Sequence, residues 1–400
     1  MNPESLIPGP ESRGPDPESR VPSPEPRVPS PDDIARLVIR APNPLGDAIM
    51  SLPAMAAVRA ALADRTLIVA AAPSVAPLFD EITAVAPQRV ITLDQGREAA
   101  QLREAGADAI LLFTNSFRTA WVSRQARIAR RLGYRAHGRS LLLTQAVRKP
   151  RLRVHQSEYY LHLVRELGFE DGRGLKAPAL PPEGVASNDR GSSSNDTGSP
   201  KNGAPGPSGP GGSSIHITPE TRQRVDAFLK ALGVDRSAPL VGFAPGAAYG
   251  HAKRWPPDRV AQVIARLGAR GVTSVVVGAG GDRDAGREIE SALPAGSRVV
   301  NVIGRTDLRL LTGLLASCHA FVSNDSGAMH LAAAVGVPVA AIFGPTNERV
   351  SAPLGDHDVI IHQVFCRPCM LRDCPIDHRC MRRVGVDRVV AEARAMLAEA

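Results

Sequence analysis

The chain has no run of eighteen apolar residues, which excludes a helix that crosses a bilayer. Its first residues contain no apolar segment that could serve as a secretory signal, so a cytoplasmic location is expected. Aromatic residues make up only 4% of the sequence, and cysteines number five. With so few rings, Ala, Val and Leu must carry the core, as in a parallel sheet covered by helices. In a reducing compartment so few thiols do not build a disulfide framework. Acidic residues are missing altogether from Ala109 to Ser157, a stretch that holds eleven Arg or Lys residues, Arg118, Arg135 and Arg139 among them. A one-signed segment of this length concentrates anionic partners, although a solvated basic face is the plain alternative. Only Phe117, Trp121 and Tyr134 lie near enough to stack on bases. Nucleic acid is one candidate, although base stacking wants more interleaved aromatics, and a phosphorylated anionic partner at a membrane surface fits as well.

What is present is organised in two halves, as expected when 400 residues exceed one hydrophobic core. Residues 1–32 alternate Pro with Ser, Glu and Arg and read as a disordered tail. Residues 33–183 form a first α/β domain, with strands at Ala35–Arg40, Thr66–Ala71, Arg89–Leu93 and Ala109–Phe113. Helices are expected there at Asp47–Leu62, Gly96–Ala105 and Phe117–Leu132. Residues 184–214 collapse into Gly, Ser, Pro and Asn, a disordered insertion at the domain boundary. Residues 215–385 resume the alternation. Strands are expected at Leu240–Ala244, Ser274–Gly278, Arg298–Val302, Ala320–Ser323 and Val339–Phe343. The helices between them are Pro257–Ala269, Asp284–Leu293, Leu308–Ser317 and Ala328–Val335, and residues 386–400 add a last helix. Two successive βαβ domains leave a cleft between them, and ligands bind there beyond the carboxyl ends of the strands.

Three motifs fall at such strand ends. Pro44-Leu45-Gly46-Asp47 opens a helix, and Asp47 is either an N-cap or a carboxylate aimed into the cleft. Phe243 to Pro256 is a small-residue loop with Gly246, Ala247, Ala248 and Tyr249, followed by Lys253 and Arg254 just before a helix. That combination suits a phosphate group. Ser323-Asn324-Asp325-Ser326-Gly327-Ala328-Met329-His330 offers backbone amides for an anion and Asp325 for sugar hydroxyls. His330 lies one turn into the helix and could face the same site, although such a histidine taken alone is more often a satisfied core residue. Gly278-Ala279-Gly280-Gly281-Asp282 has Arg283 where a dinucleotide fingerprint needs a third glycine, which excludes a nicotinamide dehydrogenase; Asp282 or Asp284 is left to hold a nucleoside. Finally, Cys366, Cys369, Cys374 and Cys380 lie within fifteen residues, with His378 among them. The first spacing suits a structural zinc and the later gaps do not, so a plain thiol loop stands as the alternative.

Together these motifs, with Asn115-Ser116-Phe117-Arg118, resemble the heptosyltransferases of glycosyltransferase family nine over about residues 34–398. The resemblance implies a GT-B architecture, two Rossmann-like parallel-sheet domains facing across a cleft. It implies inverting, metal-independent transfer of heptose from ADP-heptose to the anionic inner core of lipopolysaccharide, with no cofactor and with peripheral contact to the inner membrane. Asp47 matches the position of the general base, Lys253 a donor-phosphate contact and Asp325 the acid that holds the donor heptose. Ser326, Gly327 and His330 match neighbours of the diphosphate. Gly46, Asn115, Ser116, Arg118, Arg135 and Arg139 are expected on the acceptor side, and the last helix is expected to close against the first domain. Other readings are a nucleotide-sugar epimerase or a transferase with another donor on the same scaffold, and a non-enzymatic RNA- or metal-binding protein.

Overall fold

The computed structural model describes residues 33–62, 64–169 and 214–399. The expected tail at 1–32 and nearly all of the insertion at 184–214 lie outside them.

The first lobe runs β1 (Arg36–Arg40), α1 (Leu45–Met50), α2 (Leu52–Leu62), β2 (Thr66–Ala71), β3 (Ile82–Thr83), β4 (Arg89–Thr92), α3 (Glu98–Glu104), β5 (Ala109–Leu112), α4 (Phe117–Gln125), β6 (Arg130–Tyr134), β7 (Gln145–Val147) and α5 (Gln156–Glu166). Its sheet has the order β4-β2-β1-β5-β6-β7, parallel throughout. Apart from Arg36 and Arg40 at the ends of β1 and Thr66 at the start of β2, strands β1, β2 and β5 are apolar, because helices cover both faces.

The second lobe repeats the plan. It runs β8 (Ile215–His216), α6 (Pro219–Ala231), β9 (Leu240–Ala244), α7 (Pro257–Gly268), β10 (Thr273–Val276), α8 (Arg283–Ala292), β11 (Val299–Asn301), α9 (Leu308–Ala316), β12 (Ala320–Asn324), α10 (Gly327–Ala334), β13 (Val339–Phe343), α11 (Glu348–Ser351), β14 (His357–Ile361), α12 (Arg379–Arg382) and α13 (Val386–Glu399). The sheet order is β11-β10-β9-β12-β13-β14, again all parallel. Both orders reverse direction once, between β1 and β5 and between β9 and β12. Crevices at such reversals hold ligands in doubly wound sheets. The fold is the two-lobed GT-B arrangement.

Two expectations need correction. The helix expected over Phe117–Leu132 stops at Gln125, Arg127 takes a left-handed φ of 62°, and Arg130–Tyr134 is the strand β6. Pairing with β5 decides this, since Ala109 registers with Arg130. The final helix, expected against the first lobe, buries Val389, Ala393 and Met396 in the second-lobe core and packs on α7 and β12.

The lobes meet along one side. Strands β3 and β8 pair antiparallel, so residues 82–83 and 215–216 stitch the lobes together. Beside the stitch, Glu81 is buried and accepts from the Thr218 amide at 2.8 Å, the Thr221 hydroxyl at 2.5 Å and Arg309 Nε at 3.2 Å. A further bridge is His155 Nε2 to the Ala352 carbonyl at 2.9 Å. The largest apolar core accordingly contains residues of both lobes.

Candidate active site

Strands β1 and β5 of the first lobe, and β9 and β12 of the second, point their carboxyl ends at one seam. Helices α1 and α10 meet there. A Cβ on Gly46 would stand 2.7 Å from the His330 ring, and a Cβ on Gly327 would stand 3.1 Å from Leu45, so glycine at each position permits the close approach.

Asp47 lies in the first turn of α1. The N-cap of that helix is Pro44, so the capping reading of Asp47 is not realised. No hydrogen bond to its carboxylate is made by the described residues. Burial raises its pKa above the ordinary carboxylate range; the Asp325 charge raises it further and the Lys253 charge opposes both. These couplings place Asp47, from one lobe, in electrostatic reach of the Lys253–Asp325 pair in the other.

That pair is the centre of the second-lobe half. Lys253 Nζ sits 2.7 Å from Asp325 Oδ2, with the two side chains only 11% and 8% exposed. The Thr346 hydroxyl donates to the same oxygen at 2.6 Å. Asn324 fixes the two loops to each other, accepting from the Trp255 amide at 3.2 Å and donating to the Pro245 carbonyl at 2.7 Å. Tyr249 lies under Lys253, 4.8 Å from nitrogen to ring centre. Ser326 caps α10, accepting from the Met329 amide, which directs the first turn of that helix at the seam. His330 is buried there with Nδ1 unpartnered among the described residues, and burial lowers its pKa to about 4. It is neutral at physiological pH.

Other expected donor-side residues take different places. Asp282 accepts from the Ala279 amide at 3.0 Å and from Arg254 at 3.4 Å, and it fills the space beside Gly246 that a larger residue would need. Its carboxylate and Arg254 thus brace the loop after β9, carrying Ala247 and Ala248 with it. Asp284 pairs with Arg287 on the exposed face of α8.

On the acceptor side, Asn115 donates to the Tyr159 hydroxyl at 3.0 Å, and Ser116 caps α4. Arg118 pairs with Glu98 at 2.8 Å. Arg135 is exposed and donates to the Ala146 carbonyl. Arg139 departs from expectation. It is fully buried, and its guanidinium is engaged by the carbonyls of Tyr134 and Thr114 and by Asn115. It ties the ends of β5 and β6 together and presents no free charge to an acceptor; burial lowers its pKa to about 10.

The cysteine segment braces the loop after β9. Arg372 O accepts from the Ala252 amide at 2.9 Å, and Met370 O accepts from the Tyr249 hydroxyl at 3.0 Å. All four thiols are free, and among the described residues no three His, Cys, Asp or Glu side chains are placed to share a metal ion.

Sequence reasoning missed Thr346 as a side-chain contact, and it missed Tyr160, whose hydroxyl is electrostatically coupled to Asp47. The Pro345-Thr346 turn after β13 was a usable signal for the first, whereas nothing local marks Tyr160.

Comparison with known proteins gives a consistent result. The family model for glycosyltransferase family 9 (heptosyltransferase) matches residues 96–379. Lipooligosaccharide heptosyltransferase 2 of Haemophilus influenzae is 32% identical over 278 residues, 67% of this chain and 69% of the relative. The Haemophilus ducreyi protein of the same name is 28% identical over 91% of this chain and 99% of its own length. Among solved structures, that of the Escherichia coli ADP-heptose heptosyltransferase II superposes with a TM-score of 0.71 at 25% identity, covering 91% of this chain and 99% of that one.

Proposed function

The chain belongs to glycosyltransferase family 9, the heptosyltransferases, and on that premise we propose that it transfers L-glycero-D-manno-heptose from ADP-heptose to a heptose already on the lipopolysaccharide inner core. The proposal includes inversion at the anomeric carbon and routes no step through a metal. The names of the relatives support the acceptor, and the name of the Escherichia coli structure supports the donor.

One observation carries the chemistry: a carboxylate of the first lobe that accepts no hydrogen bond among the described residues lies within electrostatic reach of a buried Lys–Asp pair of the second, where α1 meets α10. Asp47 takes the proton of the acceptor hydroxyl as that oxygen bonds to the anomeric carbon. The bond from that carbon to the diphosphate breaks on the opposite face, and its electron pair leaves with ADP. Burial serves Asp47 here, because a base must be basic enough to accept the proton. Lys253 and the amides after Ser326 meet the charge that grows on the diphosphate, a kind of contact worth about 3–4 kcal/mol of barrier. Asp325, held by Lys253 and Thr346, is left with an oxygen for the donor heptose. Neutral His330 supports the first turn of α10 without adding a charge of its own.

The test is ADP release by purified protein, given ADP-heptose or other nucleotide sugars and a truncated core acceptor, with the product weighed by mass spectrometry. A product heavier by one heptose is expected only with ADP-heptose and acceptor together. Equal turnover of other nucleotide sugars, or release of free sugar without acceptor, would overturn the assignment.

A further inference from the structure

The Lys253–Asp325–Thr346 group is built from three loops, those after β9, β12 and β13. Strand order puts β12 between the other two, so Asp325 sits on the middle loop and takes one donor from each neighbour. Residues 367–372 reach both outer loops. Arg367 Nε donates to the Gly344 carbonyl at 2.9 Å, and its Nη2 donates to the Thr346 carbonyl at 3.3 Å. The Met370 amide donates to the Pro345 carbonyl at 2.9 Å, and the Met370 carbonyl accepts from the Tyr249 hydroxyl at 3.0 Å. The Arg372 carbonyl accepts at 2.9 Å from the amide of Ala252, the residue just before Lys253.

Arg367 anchors this bridge. Its side chain is only 3% exposed, and Glu348 meets its charge at 2.7 Å. A guanidinium presents five donors in a flat fork, which suits two carbonyls and a carboxylate set at different angles; an ammonium does not span them. Both carbonyls belong to the turn whose Thr346 hydroxyl donates to Asp325 at 2.6 Å. Among the described residues Arg367 makes no hydrogen bond to Asp325 or Lys253, so its influence on them passes through that turn.

We infer that residues 367–372 clamp together the loops after β9 and β13, which flank Asp325, and that Arg367 is a positioning residue for the nucleotide-sugar site, acting through Thr346. The clamp fixes the spacing of the two donors on Asp325 before a ligand arrives. A site formed in advance spares the ligand the cost of ordering those loops. Loosening the clamp therefore weakens binding of the diphosphate and its sugar and leaves the first lobe, where the acceptor is received, unchanged. The inference deepens the proposed function and rests on it for the identity of the ligand.

The test uses the full chain and measures binding of ADP and of ADP-heptose by calorimetry, with KM and kcat of transfer alongside. Arg367→Gln should weaken both ligands about tenfold and leave the acceptor KM unchanged. Arg367→Lys should do no better. Thr346→Val alone should cause a loss of similar size, and in that background Arg367→Gln should add less than about twofold. A side chain that only supports the fold would give additive losses instead. Arg367→Gln strands the Glu348 carboxylate, so the pair Arg367→Gln with Glu348→Gln is made as well; it should melt close to wild type and keep the loss of affinity. Additive losses, wild-type affinity in Arg367→Gln, in Arg367→Lys or in the pair, or a matching rise in the acceptor KM would each overturn the inference. A wild-type chain that binds ADP with this coupling but transfers no heptose would refute the proposed function and leave the clamp standing. Heptose transfer with additive losses would do the reverse.

Discussion

Replacing Lys253 by Ala perturbs folding and chemistry in ways that can be separated. The Lys253–Asp325 contact is 2.7 Å long and nearly dry. Opposite charges about 4 Å apart in an effective dielectric of about 20 attract by about 4 kcal/mol. Removing the lysine leaves Asp325 buried with only the Thr346 hydroxyl as donor, a loss of about 3–5 kcal/mol of stability. Replacing both residues, as Lys253→Met with Asp325→Leu, removes the stranded charge and should recover most of that loss in urea unfolding. Catalysis should not recover. Lys253→Ala should lose about a hundredfold or more in kcat and also weaken ADP-heptose binding, and the double variant should be no better. Within one cycle, stability thus recovers while catalysis stays low. A double variant as unstable as the single one, or a Lys253→Ala enzyme within about threefold of wild type, would refute the reasoning.

Asp47→Asn should reduce ADP release by about 10²–10⁴-fold while donor affinity, followed by calorimetry, stays near wild type. The pKa of Asp47 is raised, so between the ordinary and the raised value the folded protein holds a proton that the unfolded chain has released. Stability conferred by the site therefore falls as pH rises through that window, and Asp47→Asn should melt higher than wild type at neutral pH but not in acid. Wild-type kcat/KM should fall on the acid side as Asp47 is protonated, and Asp325→Asn, which removes a like charge, should move that limb to lower pH. Gly46→Ala places a Cβ against the His330 ring and should cost about 1–3 kcal/mol in denaturant and slow turnover, since α1 and α10 must part. Glu81→Leu strands Thr221 and Arg309 between the lobes and should cost about 2–4 kcal/mol. It should broaden the melting transition, which differential scanning calorimetry would show.

Buried parallel strands were easy to read because each is a short continuous apolar run. Thr66–Ala71, Leu240–Ala244 and Val339–Phe343 have the bounds that their composition indicates. Strand β6 was not legible. Arg-Arg-Leu-Gly-Tyr carries no such run, and only its neighbours β5 and β7 give it a partner on each side. The residues that the structure gathers at the seam were marked in the sequence by glycine and a charge near a strand end, as at Asp47, Lys253 and Asp325. Arg139 was misread because a basic run says nothing about which cation turns inward to bind carbonyls. Glu81 carried no signal at all, since its nearest partner in sequence is 137 residues away. Contacts of that span come from lobe docking, which no local pattern encodes.

The strand pair β3–β8 and the Glu81 cluster beside it restrict how the enzyme can open. Sliding or pulling apart would break the ladder and strip a buried carboxylate of three donors. Rotation about that line leaves both intact, so the molecule should move like a book about its spine. The α1–α10 contact, off that line, is where such a swing would be amplified, and under the proposed function the passage of sugar in and ADP out would be set by how far those two pages separate.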